Sequence, residues 1–332
     1  MDYNVVTERL PINREVLQMI EKRQQTNEGF FKKRRKLKVF LIILSVILIA
    51  LAADFLIVRH IALKRFEKYE AMAQSVDTSY GKISYIDKGE DEPFFIFHGI
   101  TGGYDQGFDV MGERTDSYRI IAPSRFGYPG SDLPDNATVD MQVEAFVELL
   151  DKLGIEKTFV TATSAGGTVA QRFALMHPER CKGLVLYCSG YPDKEKPTES
   201  ASGMTGPPQF LCNDFMMWII SPLFKPMMGM DRSVIKQIIP MKDRKAGIGF
   251  DSDVVNKDHT DNYDNYDLRS IKVPVLIIHS EDDKLADPEK AKFWSGEIPN
   301  CKSVFFSGGG HLMDGNSDEI NSVVDEFVEE NK

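Results

Sequence analysis

Between residues 81 and 188, and again from 273 onward, short apolar runs alternate with helix-patterned stretches. That alternation restricts the chain to an α/β layout, because parallel strands joined by helices need cover on both faces of the sheet. Strand-like runs fall at 81–87, 93–97, 118–122, 158–162, 183–188, 273–279 and 302–306. Helical patterns fall at 139–153, 165–176, 288–295 and 317–330. Gly154 follows the first helix as a fitting C-terminal glycine, and Pro178 stops the second.

The rhythm breaks once. Residues 191–268 hold Pro, Met, Ser and aromatic clusters in place of a strand–helix pair. They read as a lid inserted over the carboxyl edge of the sheet. The core is then expected from 79–190 together with 269–332.

Upstream lies a run from Val39 to Val58 that is apolar except at Ser45 and Asp54. Twenty residues at helical rise cover about 30 Å, the thickness of a bilayer core. A buried core helix would be shorter and less uniform, and so would the apolar part of a cleaved signal. The run is therefore expected to be an uncleaved anchor. Residues 1–38 form a basic tail, helical over 13–25, and 59–78 a helical stalk. Eight Lys/Arg lie in the twenty positions before the run and four in the twenty after it. This asymmetry places the N-terminus in the cytoplasm and the large domain outside it. The basic run from Lys32 to Lys38 suits anionic lipid head groups.

Charge excludes one class of partner. Residues 1–38 carry ten Lys/Arg against five Asp/Glu, so the rest carries −15 of a chain whose formal net charge is −10. An acidic domain lacks the basic stripe that nucleic acid requires. The four cysteines, Cys181, Cys188, Cys212 and Cys301, show no CxxC spacing and no histidine at ligand distance. Neither a metal nor a cofactor is expected. Cys188 closes the apolar run 184–188 and reads as a small core residue.

The segment Ala162-Thr163-Ser164-Ala165-Gly166-Gly167 follows a strand and opens a helix. A sharp turn there lifts a serine hydroxyl above the sheet at a helix N-terminus. Small residues two before and two after the serine let strand and helix approach; Gly166 meets this, and Ala162 adds one methyl. An ordinary serine cap is the competing reading. A serine nucleophile needs a base, and His311, in Gly308-Gly309-Gly310-His311, follows the last strand. The imidazole needs a carboxylate to fix its tautomer. Asp283, in the acidic turn after the run 275–280, is the first choice, with Asp282 the fallback and Asp193 a distant third. The order Ser, Asp, His fits one triad lineage among several. Backbone N–H groups of Ala165 and Ile100, with Thr101 next, are the expected receivers of carbonyl-oxygen charge. His98 shapes its loop.

Four signals in order carry a resemblance: His98-Gly99-Ile100-Thr101-Gly102-Gly103; Pro123-Ser124-Arg125-Phe126-Gly127-Tyr128-Pro129-Gly130-Ser131; Ala162-x-Ser164-x-Gly166; and 275–283 followed by Gly310-His311. From about Tyr80 to Glu330 the chain resembles the α/β-hydrolase superfamily, of the broad AB hydrolase-1 type. The resemblance implies a mostly parallel eight-stranded sheet with helices on both faces and an inserted helical lid. It also implies a structural role for the 123–131 loop. Dehalogenases and epoxide hydrolases of the family carry Asp at the elbow, and Ser164 argues against both.

The expected function is hydrolysis of a carboxylic ester through an acyl-enzyme, with a small-molecule ester, a lipid or other apolar acyl ester, as substrate. Peptidase, thioesterase and C–C bond hydrolase readings use the same triad, and a non-catalytic binding module is the alternative from another class. Apolar side chains between 209 and 230, Phe215, Met216 and Trp218 among them, suit an acyl group, as does Thr101. Packing of the lid onto the core is the competing account of the same stripe.

Overall fold

The computed structural model describes residues 14–201 and 205–332; of the basic tail, 1–13 lie outside the described residues, and of the 191–268 segment, 202–204. The chain divides into two units, 1–57 and 58–332.

Helix α1 runs without interruption from Arg14 to Glu70. It contains the apolar run, is long and apolar enough to cross a membrane, and buries none of that window. Its continuation past Val58 is no free stalk. Ala62 and Phe66 are buried in the second unit. The helix ends at Glu70, and 74–78 is β1 (Gln74–Thr78), the first strand of the sheet. The stalk expected at 59–78 is thus packed helix to Glu70 and edge strand from Gln74; a five-residue strand with one half-buried apolar side chain gave no pattern to read.

The strands β2 (Gly81–Lys88), β3 (Glu92–Phe97), β4 (Tyr118–Pro123), β5 (Thr158–Thr163), β6 (Cys181–Tyr187), β7 (Val275–Ser280) and β8 (Cys301–Phe306) complete one eight-stranded sheet. Its order is β1-β2-β4-β3-β5-β6-β7-β8. Pairing is antiparallel from β1 to β2 and β2 to β4, and parallel elsewhere.

The helices after α1 are α2 (Tyr104–Met111), α3 (Val139–Lys152), α4 (Gly166–Met176), α5 (Asp214–Ile220), α6 (Phe224–Met228), α7 (Ile235–Ile238), α8 (Lys245–Phe250), α9 (Asn256–Asp261), α10 (Pro288–Glu297) and α11 (Ser317–Asn331). Strand alternation sorts side chains between two cores. Phe95, Phe97, Leu184, Leu186, Val275 and Ile277 pack with α3, α4 and α10. Their neighbours Phe94, Ile96, Val185, Tyr187, Leu276 and Ile278 pack with α2 and α11. Both faces are covered, which explains why the central strands read as continuous apolar runs. Sequence periodicity did not reveal α2, because Gly107 and Asp105 interrupt its apolar face.

Between β6 and β7 no strand forms among the described residues; the segment holds α5 to α9, short 3-10 turns and a π-helical turn (Asp251–Val255). A third core of Met217, Phe224, Ile235, Ile238 and Met241 joins this segment to Ala62 of α1 and to Tyr128.

Candidate active site

Ser164 stands between β5 and α4 with φ 53°, a left-handed conformation that an L-residue adopts at a cost. Two backbone bonds hold the turn: Ser164 N–H donates to Tyr187 O at 3.1 Å, and Gly167 N–H to Ser164 O at 2.9 Å. The need for small residues has a direct measure. A Cβ on Gly166 would lie 2.5 Å from Phe97 O and 2.7 Å from His98 O. The hydroxyl side of the turn faces Gly99, where a Cβ would sit 3.2 Å from Ser164 Cβ.

His311 lies in a short turn after β8 and is buried. The backbone before it is left-handed at Gly309 and Gly310, and a Cβ on Gly310 would strike Gly229 O at 2.3 Å. Glycine is therefore required where the β6–β7 segment crosses the histidine loop. His311 Nδ1 lies 2.8 Å from Asp283 Oδ2 and 3.0 Å from Oδ1. Asp283 Oδ1 also accepts from the N–H groups of Leu285 (2.8 Å) and Ala286 (3.1 Å). Burial alone would raise this carboxyl, but His311 and the two amides outweigh it and hold it below its ordinary value. Of the three candidate acids, Asp283 is the one against His311. Asp282 instead accepts from Gly310 N–H at 2.8 Å and Ser280 Oγ at 2.6 Å, and Asp193 pairs with Lys290.

Ser164, Asp283 and His311 follow the carboxyl ends of the parallel strands β5, β7 and β8, on one edge of the sheet. Among the described residues Ser164 Oγ makes no hydrogen bond, so the hydroxyl is uncommitted.

The loop opposite the serine is fixed from beneath by charges the sequence reading did not find. Arg125 N–H donates to His98 Nε2 at 3.0 Å, and Arg125 Nε to His98 O at 3.0 Å. Its guanidinium forms a bidentate, fully buried pair with Asp251, which also accepts from Tyr128 Oη at 2.6 Å. Arg244 bonds Gly102 O and pairs with Asp105, which Arg65 of α1 also reaches at 2.7 Å. Burial, with Arg125 beside it, pushes His98 far below its ordinary value, so it stays neutral and serves the loop. Thr101 takes φ 67°. Ile100 follows Gly99, whose backbone lies against Ser164, and Ala165 leads into α4.

Phe215 is 50% exposed and stacks on Trp218, which is 7% exposed, with centroids 6.0 Å apart; Met216 is half-buried. Cys188, read as a core residue, is buried, yet its thiol also meets the acid: ligand-type atoms of Cys188, Asp283 and His311 lie within 4.8 Å of one another. Burial first, then Asp283, raises the thiol and keeps it protonated, while Asp283 and His311 engage each other. A protonated thiol is a poor metal ligand. A concavity lined by Met72, Asp87, Phe108 and Arg119 lies on the β2–β4 side and contains no nucleophile–base pair.

A family model described as the alpha/beta hydrolase fold matches residues 92–217. An uncharacterized carboxylesterase, nap, of Bacillus subtilis is 22% identical over 253 residues, covering 72% of this chain and 80% of its own. Lipase 3 of a Moraxella strain is 24% identical over 235 residues, covering 67% and 72%. Among solved structures, an alpha/beta hydrolase fold protein from Nakamurella multipartita superposes with a TM-score of 0.62 at 22% identity, covering 76% of this chain and 98% of that one. Fold and matches together define an α/β hydrolase. The chain belongs to the α/β-hydrolase superfamily.

Proposed function

We propose that this protein is a membrane-anchored serine hydrolase that cleaves a carboxylic ester through an acyl-enzyme. The observation that carries the reading is the buried Asp283–His311 pair at the sheet edge where Ser164 caps β5. His311 takes the Ser164 proton as Oγ attacks the ester carbonyl carbon. The carbonyl oxygen becomes an oxyanion received by Ile100 and Ala165 N–H, the latter aided by the α4 N-terminus. His311 then gives the proton to the departing alcohol oxygen. Water repeats the sequence on the acyl-enzyme and releases the acid. Asp283 holds the imidazole with Nδ1 protonated and stabilises its charged form.

The curated relatives named carboxylesterase and lipase support an ester as the bond cleaved. In this reading 191–268 is a cap over the site, lined in part by Thr101, Met216 and Trp218. Residues 39–58 span the membrane, with the N-terminus cytoplasmic and the catalytic domain outside it.

A fluorophosphonate probe tests the central claim. Wild type should label and Ser164→Ala should not. A folded wild type that resists the probe and leaves p-nitrophenyl esters intact overturns the reading and leaves a non-catalytic module.

A further inference from the structure

We propose that Arg65, on the part of α1 that packs into the second unit, is a positioning residue for the loop that receives the oxyanion, acting through Asp105, Arg244 and Gly102. The inference rests on the reading of this protein as a serine hydrolase with Ile100 as an oxyanion donor.

Residues 58–70 belong to the second unit, and their packing there is specific. Phe66 is buried and stacks on Tyr104, the first residue of α2, with centroids 6.1 Å apart. Its neighbour Arg65 forks onto two carboxylates of α2. Arg65 Nη1 donates to Asp105 Oδ2 at 2.7 Å, and Nη2 donates to Asp109 Oδ2. Tyr69 Oη also donates to Asp109. Asp105 and Asp109 stand one turn apart on α2, where like charges repel. Arg65 is the cation that bridges them.

Asp105 has no exposed side-chain surface and holds a second guanidinium. Arg244 Nη1 and Nη2 donate to its two oxygens at 3.0 and 2.8 Å, and the same Nη1 donates to Gly102 O. Gly102 N–H donates in turn to Gly99 O at 3.2 Å, which closes a turn around Ile100 and Thr101. Gly99 lies against Ser164. Each step from Arg65 to the nucleophile is therefore a direct contact, the kind of contiguous network that can carry a displacement. The path has little slack, since a Cβ on Gly103 would lie 3.0 Å from Asp105 Oδ1 and 3.2 Å from Arg244 Nη1. Charge is balanced too, with Arg65 and Arg244 against Asp105 and Asp109. Without Arg65 the set has an excess anion, and a buried charge tolerates the loss of a partner poorly. Asp105 would shift away from Asp109, Arg244 would follow it, and Gly102 would move with them. Oxyanion donors lose their value when displaced by about 1 Å.

The test uses the full chain in detergent micelles. Turnover is read with p-nitrophenyl esters, active sites are counted with a fluorophosphonate, and an alkyl trifluoromethyl ketone serves as inhibitor. Ser164 Oγ adds to the ketone carbonyl carbon, the serine proton passes to His311, and the carbonyl oxygen becomes an oxyanion, so the inhibition constant reads the oxyanion donors. Arg65→Met should lower kcat per labelled site about ten-fold or more, hold KM within about two-fold, and weaken the ketone by the same factor as kcat. Arg65→Lys keeps a cation on Asp105 but cannot fork to Asp109, so it should recover most of the loss and stay about three-fold below wild type. Arg119→Met breaks the bidentate pair with Asp87 between β4 and β2 and should change none of these quantities. Unaltered kcat per site and ketone affinity in Arg65→Met, with only a lowered urea midpoint, would make Arg65 a stability residue and overturn the proposal. An equal loss in Arg119→Met would overturn it as well. Should Arg65→Met not fold, Arg65→Lys decides, and wild-type kcat and ketone affinity in that variant overturn the proposal. A folded wild type that neither labels nor cleaves esters defeats the hydrolase reading itself, and the role of Arg65 with it.

Discussion

Arg125 and Asp251 lie 126 residues apart and meet as a bidentate ion pair with no exposure of either side chain. The pair joins the loop carrying His98 to the β6–β7 segment. Burying a charge is tolerable only while its partner remains. Asp251→Ala should therefore destabilise the protein by about 3–5 kcal/mol, read as a lowered urea midpoint. Replacing both residues by apolar ones of similar volume should cost much less. Equal losses in the single and double variants would show that the loss is one of packing and not of an orphaned charge.

The acid of the proposed triad is testable by comparison with its neighbour. Asp283→Asn should lower kcat for p-nitrophenyl esters by about 10³–10⁴ with little change in KM, since the imidazole would lose its tautomer control. Asp282→Asn keeps an amide oxygen to accept from Gly310 and Ser280 and should cost far less activity. The reverse order would move the acid to Asp282.

The elbow should trade stability for position. Ser164 is held at φ 53°, so Ser164→Gly should be more stable than Ser164→Ala by about 0.5–1 kcal/mol, although both lose probe labelling. Gly166→Ala brings a Cβ within 2.7 Å of two backbone oxygens and should cost about 3 kcal/mol. Thermal melts order the four proteins, and a Gly166→Ala variant with wild-type melting would contradict the packing at this turn.

Stability should fall as pH drops below neutrality. His98, His259 and His279 are buried neutral, each held below its ordinary value by burial first, with His259 at about 3. Above about pH 6.5 both native and unfolded states carry these rings neutral and nothing is lost. Below it the unfolded chain binds protons that the native one refuses, so stability declines as pH falls, by at most about 4 kcal/mol per pH unit for the three together. The depressed Asp283 adds its own loss only below about pH 4, where the unfolded carboxyl protonates. Urea midpoints at pH 7.5 and 5.5 check this. His279→Gln should flatten the slope, and a midpoint unmoved by pH would mean that the rings do protonate in the native state.

The sequence by itself determined the layers and the elbow. Both depend on local information: apolar runs of strand length, a serine between small residues at a strand end, and glycines before His311. The apolar run 39–58 was legible for the same reason, since its length and composition are properties of adjacent residues. What only the tertiary structure decided was the set of partners across distance. The choice of Asp283 over Asp282 turned on which carboxylate a three-residue bend aims at His311, and adjacent acids look alike in sequence. The pairing of Arg125 with Asp251 and of Arg244 with Asp105 joins residues whose spacing follows no period, through burial that a charged residue does not advertise. Cys188 gave only the signal of a core residue, and strand order alone brought its thiol beside the acid. The strand at 74–78 needed its neighbour to exist at all, because an edge strand draws its hydrogen bonds from the sheet it joins.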